Sequence, residues 1–127
     1  MTHGFVTTSD GCRIAWHEEG DAAAPVLILS NSLGTTMDMW APQRAALGAR
    51  HRLIRYDSRG HGRSDAPAGD YTLDRLGRDV VELLDGLSID RADFCGLSLG
   101  GMVGQWLGVN ACGRIDRLVL ANRSPHM

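Results

Sequence analysis

The segment Gly96-Leu97-Ser98-Leu99-Gly100 places a serine between two glycines at the spacing of a serine nucleophile. Apolar residues before it predict a strand, and the residues after it predict a helix. A serine at the tip of a sharp strand-to-helix turn has a strained backbone, and the flanking glycines avoid clashes with the strand and the helix. The pattern predicts acyl transfer through Ser98, with Gly96 and Gly100 as the glycines of the turn.

A serine hydroxyl is a weak nucleophile, so its site must also supply a base and donors for the oxyanion that forms. We expect one donor at the backbone N–H of Leu99, at the start of the predicted helix, where the helix dipole assists it. The second donor should come from residues 31–34, a loop of small residues that follows an apolar strand. We assign it to the N–H of Leu33.

The general base is harder to place, because hydrolases of this type take their acid and histidine from positions after the serine. His61 lies in a polar, glycine-containing loop, for which we favour a structural role in which Asp57 and Arg59 satisfy backbone groups. His126 follows the last predicted strand, but the nearest preceding acid, Asp116, begins that strand and so lies at its opposite end. His61 and His126 therefore stay minor candidates for the base, and the acid and histidine of a complete triad are expected outside this sequence.

Short apolar runs alternate with longer amphipathic stretches along the chain. The predicted strands cover residues 13–18, 26–30, 52–56, 92–95 and 117–121. Apolar residues at helical spacing predict a helix from Leu73 to Leu87 with Thr72 as its cap, and a less regular helix is predicted over residues 37–47. With an N-terminal hairpin, this order predicts an α/β fold with a doubly wound, mostly parallel sheet, whose site lies at the carboxyl ends of the strands.

Composition excludes several classes of protein. The net charge is −2, and no run of like charge favours binding to nucleic acid or to an anionic membrane surface. All 13 basic residues are arginines, which excludes a P-loop lysine, a Schiff-base enzyme and a Ser–Lys dyad. The three cysteines are scattered and predict neither a disulfide framework nor a zinc site, and no leader or membrane-spanning segment is evident. We therefore expect a cytoplasmic protein without a metal.

These residues together resemble the α/β-hydrolase family, and within it the 3-oxoadipate enol-lactonases and related lactonase-like esterases. The resemblance is carried by residues 29–40, 55–64 and 94–101. Residues 29–40 are the most specific, because many other α/β-hydrolases have a His-Gly pair where Asn31 and Ser32 stand. Serine rather than aspartate at position 98 argues against the dehalogenase and epoxide-hydrolase branches. The resemblance implies hydrolysis of a small-molecule ester or lactone, an enol-lactone dicarboxylate in the enol-lactonases, through an acyl-enzyme on Ser98 and without a cofactor.

Family members are usually longer, with a helical cap and two further strands that carry the acid and the histidine. The resemblance thus implies that residues 1–127 are the N-terminal part of a single α/β-hydrolase domain, a truncated core without the cap and the last strands. The strand at 117–121 would then be an unpaired apolar edge, where we expect a complementary C-terminal half or a second copy to pair. A general carboxylesterase or perhydrolase, and a non-catalytic hydrolase fragment or binding module, stay open as alternative functions.

Overall fold

Two antiparallel strands begin the chain and form a hairpin. A computed structural model describes residues 2–121 and gives strands β1 (Thr2–Thr7), β2 (Arg13–Glu19), β3 (Val26–Ser30), β4 (Arg52–Tyr56), β5 (Ala92–Leu97) and β6 (Ile115–Ala121). The helices are α1 (Arg44–Gly48), α2 (Leu73–Gly86) and α3 (Leu99–Asn110), with 3₁₀-helical segments at Met37–Gln43 and Cys112–Arg114. No helix in this part of the chain is long and apolar enough to cross a membrane.

The six strands form one sheet in the order β1-β2-β4-β3-β5-β6. β3 pairs in parallel with β4 on one side and with β5 on the other, and β6 continues the parallel part beyond β5. β2 joins the hairpin to β4 by antiparallel pairing. The predicted α/β fold with a doubly wound, mostly parallel sheet is confirmed. Because the chain moves from β4 across β3 to β5, the strand order reverses at β3, and in such sheets ligands bind beside the carboxyl ends of these strands.

Alternate residues of the central strands pack on opposite faces of the sheet. Ile28, Ile54 and Phe94 lie in a core with α2 and α3, whereas Leu27 and Leu53 pack on the other face with the 3₁₀ segment that follows β3. All five side chains are buried. Helices on both faces explain why β3 is apolar from Val26 to Leu29 instead of alternating.

Helix α2 agrees with its prediction, since the side chain of Thr72 accepts a hydrogen bond from the N–H of Arg75 and caps its first turn. The predicted helix at 37–47 is instead divided into the 3₁₀ segment Met37–Gln43 and the short helix α1. Pro42 lies inside the 3₁₀ segment, where its missing N–H and its ring prevent a continuous α-helical ladder. β6 begins at Ile115, two residues before the predicted start.

Candidate active site

Ser98 lies at the junction of β5 and α3 with φ 57° and ψ −109°. A residue with a Cβ atom pays a steric penalty at such angles, so the surrounding structure must hold it there. The N–H of Ser98 donates to the carbonyl of Ala121 in β6 at 3.0 Å, and its own carbonyl accepts from the N–H of Met102 at 3.1 Å. The turn is thereby fixed to a neighbouring strand on one side and to α3 on the other.

Both glycines of the turn lie where backbones meet. A Cβ on Gly96 would overlap the carbonyl group of Gly100, and a Cβ on Gly100 would overlap the carbonyl group of Ser30 at the end of β3. In addition, the N–H of Gly100 donates to the carbonyl of Asn31 at 3.1 Å. The glycines therefore let β5, α3 and β3 approach at backbone distance, which brings the loop after β3 beside the start of α3.

Asn31 anchors the loop after β3. Its side chain is buried, with the amide oxygen accepting from the indole N–H of Trp40 at 2.8 Å and the amide nitrogen donating to the carbonyl of Tyr56 at 2.9 Å. Further along the loop, the Thr35 hydroxyl donates to the carbonyl of Ser32 at 2.7 Å. From the sequence, Asn31 counts among the small residues of the loop and lies in the family-specific segment 29–40, but neither side-chain partner is predicted. Its position directly after a buried strand was the available signal, because a buried amide must find several partners.

The two N–H groups expected to bind the oxyanion lie in these two segments. Leu99 is the first residue of α3, and the first N–H groups of a helix have no carbonyl partner within the helix. Leu33 belongs to the loop that Asn31 holds against Gly100, and its side chain is 69% exposed. The fold thus brings the loop of Leu33 to the same corner of the sheet as Ser98 and Leu99.

The polar loop after β4 is built around a buried carboxylate. Asp57 accepts from the N–H of Met37 at 2.7 Å and from the N–H of Arg63 at 3.0 Å. A Cβ on Gly62 would overlap this carboxylate, which explains a glycine with φ +49°. Asp57 therefore satisfies backbone groups, in agreement with the structural role expected of it.

Arg59 differs from its expected role, because its guanidinium binds carboxylates and not backbone groups. It is buried and contacts Asp79 of α2 at 2.7 Å and Asp10 of the hairpin turn at 2.8 Å. Hydrogen bonds from Arg59 hold the pKa of Asp10 well below its usual value. Burial raises the pKa of Asp79, although Arg59 and Arg75 act in the opposite direction. This network joins the loop to two distant elements.

His61 contacts the loop after β3. Its Nε2 accepts from the N–H of Gly34 at 2.9 Å, and its Nδ1 lies 3.2 Å from the carbonyl oxygen of Arg59. From the sequence, His61 is a minor candidate for the base in a loop with a structural role, and no local pattern predicts either of these partners. His126, the other candidate base, lies outside residues 2–121.

A cavity of about 600 Å³ lies between the hairpin and the start of the 3₁₀ segment after β3. Arg55 and His17 line it, whereas Ser98, Leu33 and Leu99 do not. The guanidinium of Arg55 donates to Nδ1 of His17 at 2.9 Å, so that nitrogen carries no proton. Burial and the Arg55 charge lower the pKa of His17. Within residues 2–121, no group of three or more His, Cys, Asp or Glu side chains is arranged to hold a metal ion.

Known proteins are similar to this chain in sequence and in fold. The family described as alpha/beta hydrolase fold matches residues 25–127. The 3-oxoadipate enol-lactonase 2 of Acinetobacter baylyi is 48% identical over 103 residues, which cover 81% of this chain and 39% of that protein. The chain therefore spans about two-fifths of the length of this curated relative.

Solved structures give the same result. A hydrolase from Pseudomonas aeruginosa superposes with a TM-score of 0.95 at 57% identity, covering 97% of this chain and 46% of that one. The enol-lactonase of Burkholderia xenovorans has a TM-score of 0.92 at 45% identity, covering 95% of this chain and 47% of that one. On its sequence and its strand order, with Ser98 at the turn between β5 and α3, the chain belongs to the alpha/beta hydrolase fold family.

Proposed function

We propose that this chain supplies the nucleophile and the oxyanion donors of a serine hydrolase that acts on a small-molecule ester or lactone. The observation that carries the proposal is the backbone of Ser98, held at φ 57° between β5 and α3. This turn lies where the strand order reverses, beside the carboxyl end of β3. A serine held in this conformation at this edge of an α/β sheet is typical of a nucleophile.

The proposed reaction has two acyl-transfer steps. The Ser98 hydroxyl oxygen attacks the carbonyl carbon while its proton passes to a base, and a tetrahedral oxyanion forms. Collapse of the oxyanion breaks the bond to the alcohol or enol oxygen, which takes up the proton and leaves an acyl group on Ser98. Water then attacks the acyl carbon, and the acid is released as Ser98 regains its proton. The chemistry needs no cofactor.

The N–H groups of Leu33 and Leu99 are the proposed oxyanion donors. This assignment is supported by the contact between the two segments, since the N–H of Gly100 at the start of α3 donates to the carbonyl of Asn31 in the loop of Leu33. Such donors need no rearrangement when the oxyanion forms, because the fold already holds them in place. Loss of one of them would raise the barrier by about 3–4 kcal/mol.

The base and the acid are proposed to come from outside residues 2–121. Both ring nitrogens of His61 already have partners, and Asp57 binds two backbone N–H groups. Residues 1–127 would then be the N-terminal part of one hydrolase domain, completed by a further segment or by a complementary polypeptide. β6 offers a place for it, since this strand ends the sheet order and Leu118 and Val119 are partly exposed. Pairing of two copies along this edge is the alternative.

The proposed substrate class follows from the relatives, two of which are named as enol-lactonases. We propose a lactone whose ring oxygen is the leaving group, of the 3-oxoadipate enol-lactone kind. A cytoplasmic location fits the three free cysteines.

The experiment is hydrolysis of 3-oxoadipate enol-lactone and of p-nitrophenyl acetate by the chain, alone and mixed with the C-terminal part of the Acinetobacter relative. We expect turnover in the mixture that is lost in Ser98→Ala and kept in Ser88→Ala. Ser88 is a matched control, because it also has φ 57° but lies after α2. A rate that does not depend on Ser98 would refute the proposal. Faster turnover of the simple ester would indicate a general carboxylesterase.

A further inference from the structure

One imidazole joins the loop after β4 to the loop after β3. The backbone N–H of Gly34 donates to Nε2 of His61 at 2.9 Å, so this nitrogen carries no proton. Nδ1 lies 3.2 Å from the carbonyl oxygen of Arg59, which can only accept a hydrogen bond. The two contacts together require the neutral imidazole with its proton on Nδ1.

The loop that carries His61 is held in place by several hydrogen bonds. The N–H of His61 donates to the carbonyl of Ser58 at 2.9 Å, and its carbonyl accepts from the N–H of Ser64 at 3.1 Å. Ser64 is itself buried, and its hydroxyl donates to the carbonyl of Asp57. The Arg59 carbonyl accepts the hydrogen bond from the Nδ1–H of His61, and the guanidinium of Arg59 is fixed by the buried carboxylate of Asp79. The imidazole of His61 therefore extends from a loop whose backbone is fixed by hydrogen bonds and by the Arg59 ion pair.

The segment at the other end of the imidazole is a short turn, closed by the N–H and the hydroxyl of Thr35, which both donate to the carbonyl of Ser32, at 3.3 and 2.7 Å. Gly34 has φ +77° and nothing within 4 Å of the place where a Cβ would stand, and the Leu33 side chain is 69% exposed. The peptide unit between Leu33 and Gly34 carries the N–H that His61 accepts. Fixing this peptide restricts the backbone of Leu33, whose own N–H is one residue earlier.

We infer that His61 is a positioning residue, and not the general base, for the reaction at Ser98. By accepting the Gly34 N–H it holds the Leu33 N–H toward the oxyanion. The inference rests on the proposed function only in so far as Leu33 is an oxyanion donor; the link between His61 and Gly34 stands independently of the reaction.

The first test needs no activity and uses NMR on the ¹⁵N-labelled chain. We expect an unprotonated Nε2 and a protonated Nδ1 on His61. In His61→Leu, the amide of Gly34 should exchange with solvent at least about tenfold faster, whereas the amide of buried Phe94 should not change. His61→Gln should restore protection, because its side-chain oxygen can accept the same N–H. A proton on Nε2, or equal exchange at Gly34 in all three proteins, overturns the inference.

The second test measures ester hydrolysis by the complemented enzyme described above. We expect His61→Leu to lower kcat by about 10- to 100-fold with KM changed less than about twofold, because an oxyanion donor acts in the transition state. His61→Gln should recover most of kcat. Equal loss in both variants, as deep as that of Ser98→Ala, would identify a base and overturn the inference. If the wild-type rate does not depend on Ser98, the proposed function fails, and the NMR result alone decides the role of His61.

Discussion

The backbones of Gly96 and Gly100 approach so closely that a Cβ on Gly96 would overlap the carbonyl oxygen of Gly100. One residue belongs to β5 and the other to α3, so their contact sets the angle at which the strand enters the helix. Ser98 lies at the tip between them. The close packing of these two glycines therefore determines the shape of the turn that carries Ser98.

Gly96→Ala is predicted to lower the free energy of unfolding by about 2–3 kcal/mol, because the methyl group meets backbone that cannot move aside. Gly113→Ala is the control, since nothing lies within 4 Å of the Cβ position at Gly113. That substitution should change the free energy by less than about 0.5 kcal/mol. Urea denaturation of the three proteins measures both effects. A Gly96 variant as stable as the Gly113 variant would contradict the close approach.

Ser98→Gly is predicted to be more stable than Ser98→Ala by about 1 kcal/mol. Both variants lack the hydroxyl, so their difference reports on the strain of a Cβ at φ 57° without a contribution from the hydroxyl. The gain is reduced by the greater freedom of glycine in the unfolded chain. Thermal and urea unfolding of the two variants provide the measurement. An alanine variant that is the more stable of the two would show that the turn holds no such strain.

Asp79→Ala is predicted to lower the free energy of unfolding by about 3–5 kcal/mol, because it leaves the Arg59 guanidinium buried with an incomplete set of partners. The matched control is Asp74→Ala on the same helix, whose pair with Arg78 is exposed on both sides. Its loss should cost less than about 1 kcal/mol. Equal destabilisation by the two substitutions, measured in urea, would mean that the Arg59 network contributes no more than a surface pair.

The stability of the protein is predicted to fall as the pH drops below about 6.5, the ordinary pKa of histidine, in part because of His17. Its pKa is lowered in the folded protein, so the unfolded chain binds a proton first as the pH falls, and unfolding becomes easier. His17→Asn keeps an oxygen that can accept from Arg55 but does not titrate. The free energy of unfolding between pH 7.5 and 5.5 should therefore vary less in the variant. Identical pH profiles would exclude this contribution from His17.

Features set by neighbouring residues could be predicted from the sequence, and features set by distant partners could not. The turn at Ser98 follows from a local pattern of glycines, and α2 follows from its apolar spacing and its Thr72 cap. One carboxylate partner of Arg59, Asp79, lies 20 residues away in α2. Gly34, whose N–H donates a hydrogen bond to His61, lies 27 residues away in another loop. No local sequence pattern predicts contacts between residues so far apart, because the strand order determines which loops lie side by side.

The serine turn is attached to strands that the chain makes at widely separated points. Its N–H binds Ala121 in β6, its first glycine belongs to β5, and its second meets the end of β3 at Ser30. No single stretch of chain can hold Ser98 in this conformation, so it exists only after these strands have assembled. A partly folded chain therefore leaves Ser98 in an ordinary backbone conformation, and the strained turn forms only together with the sheet that holds it.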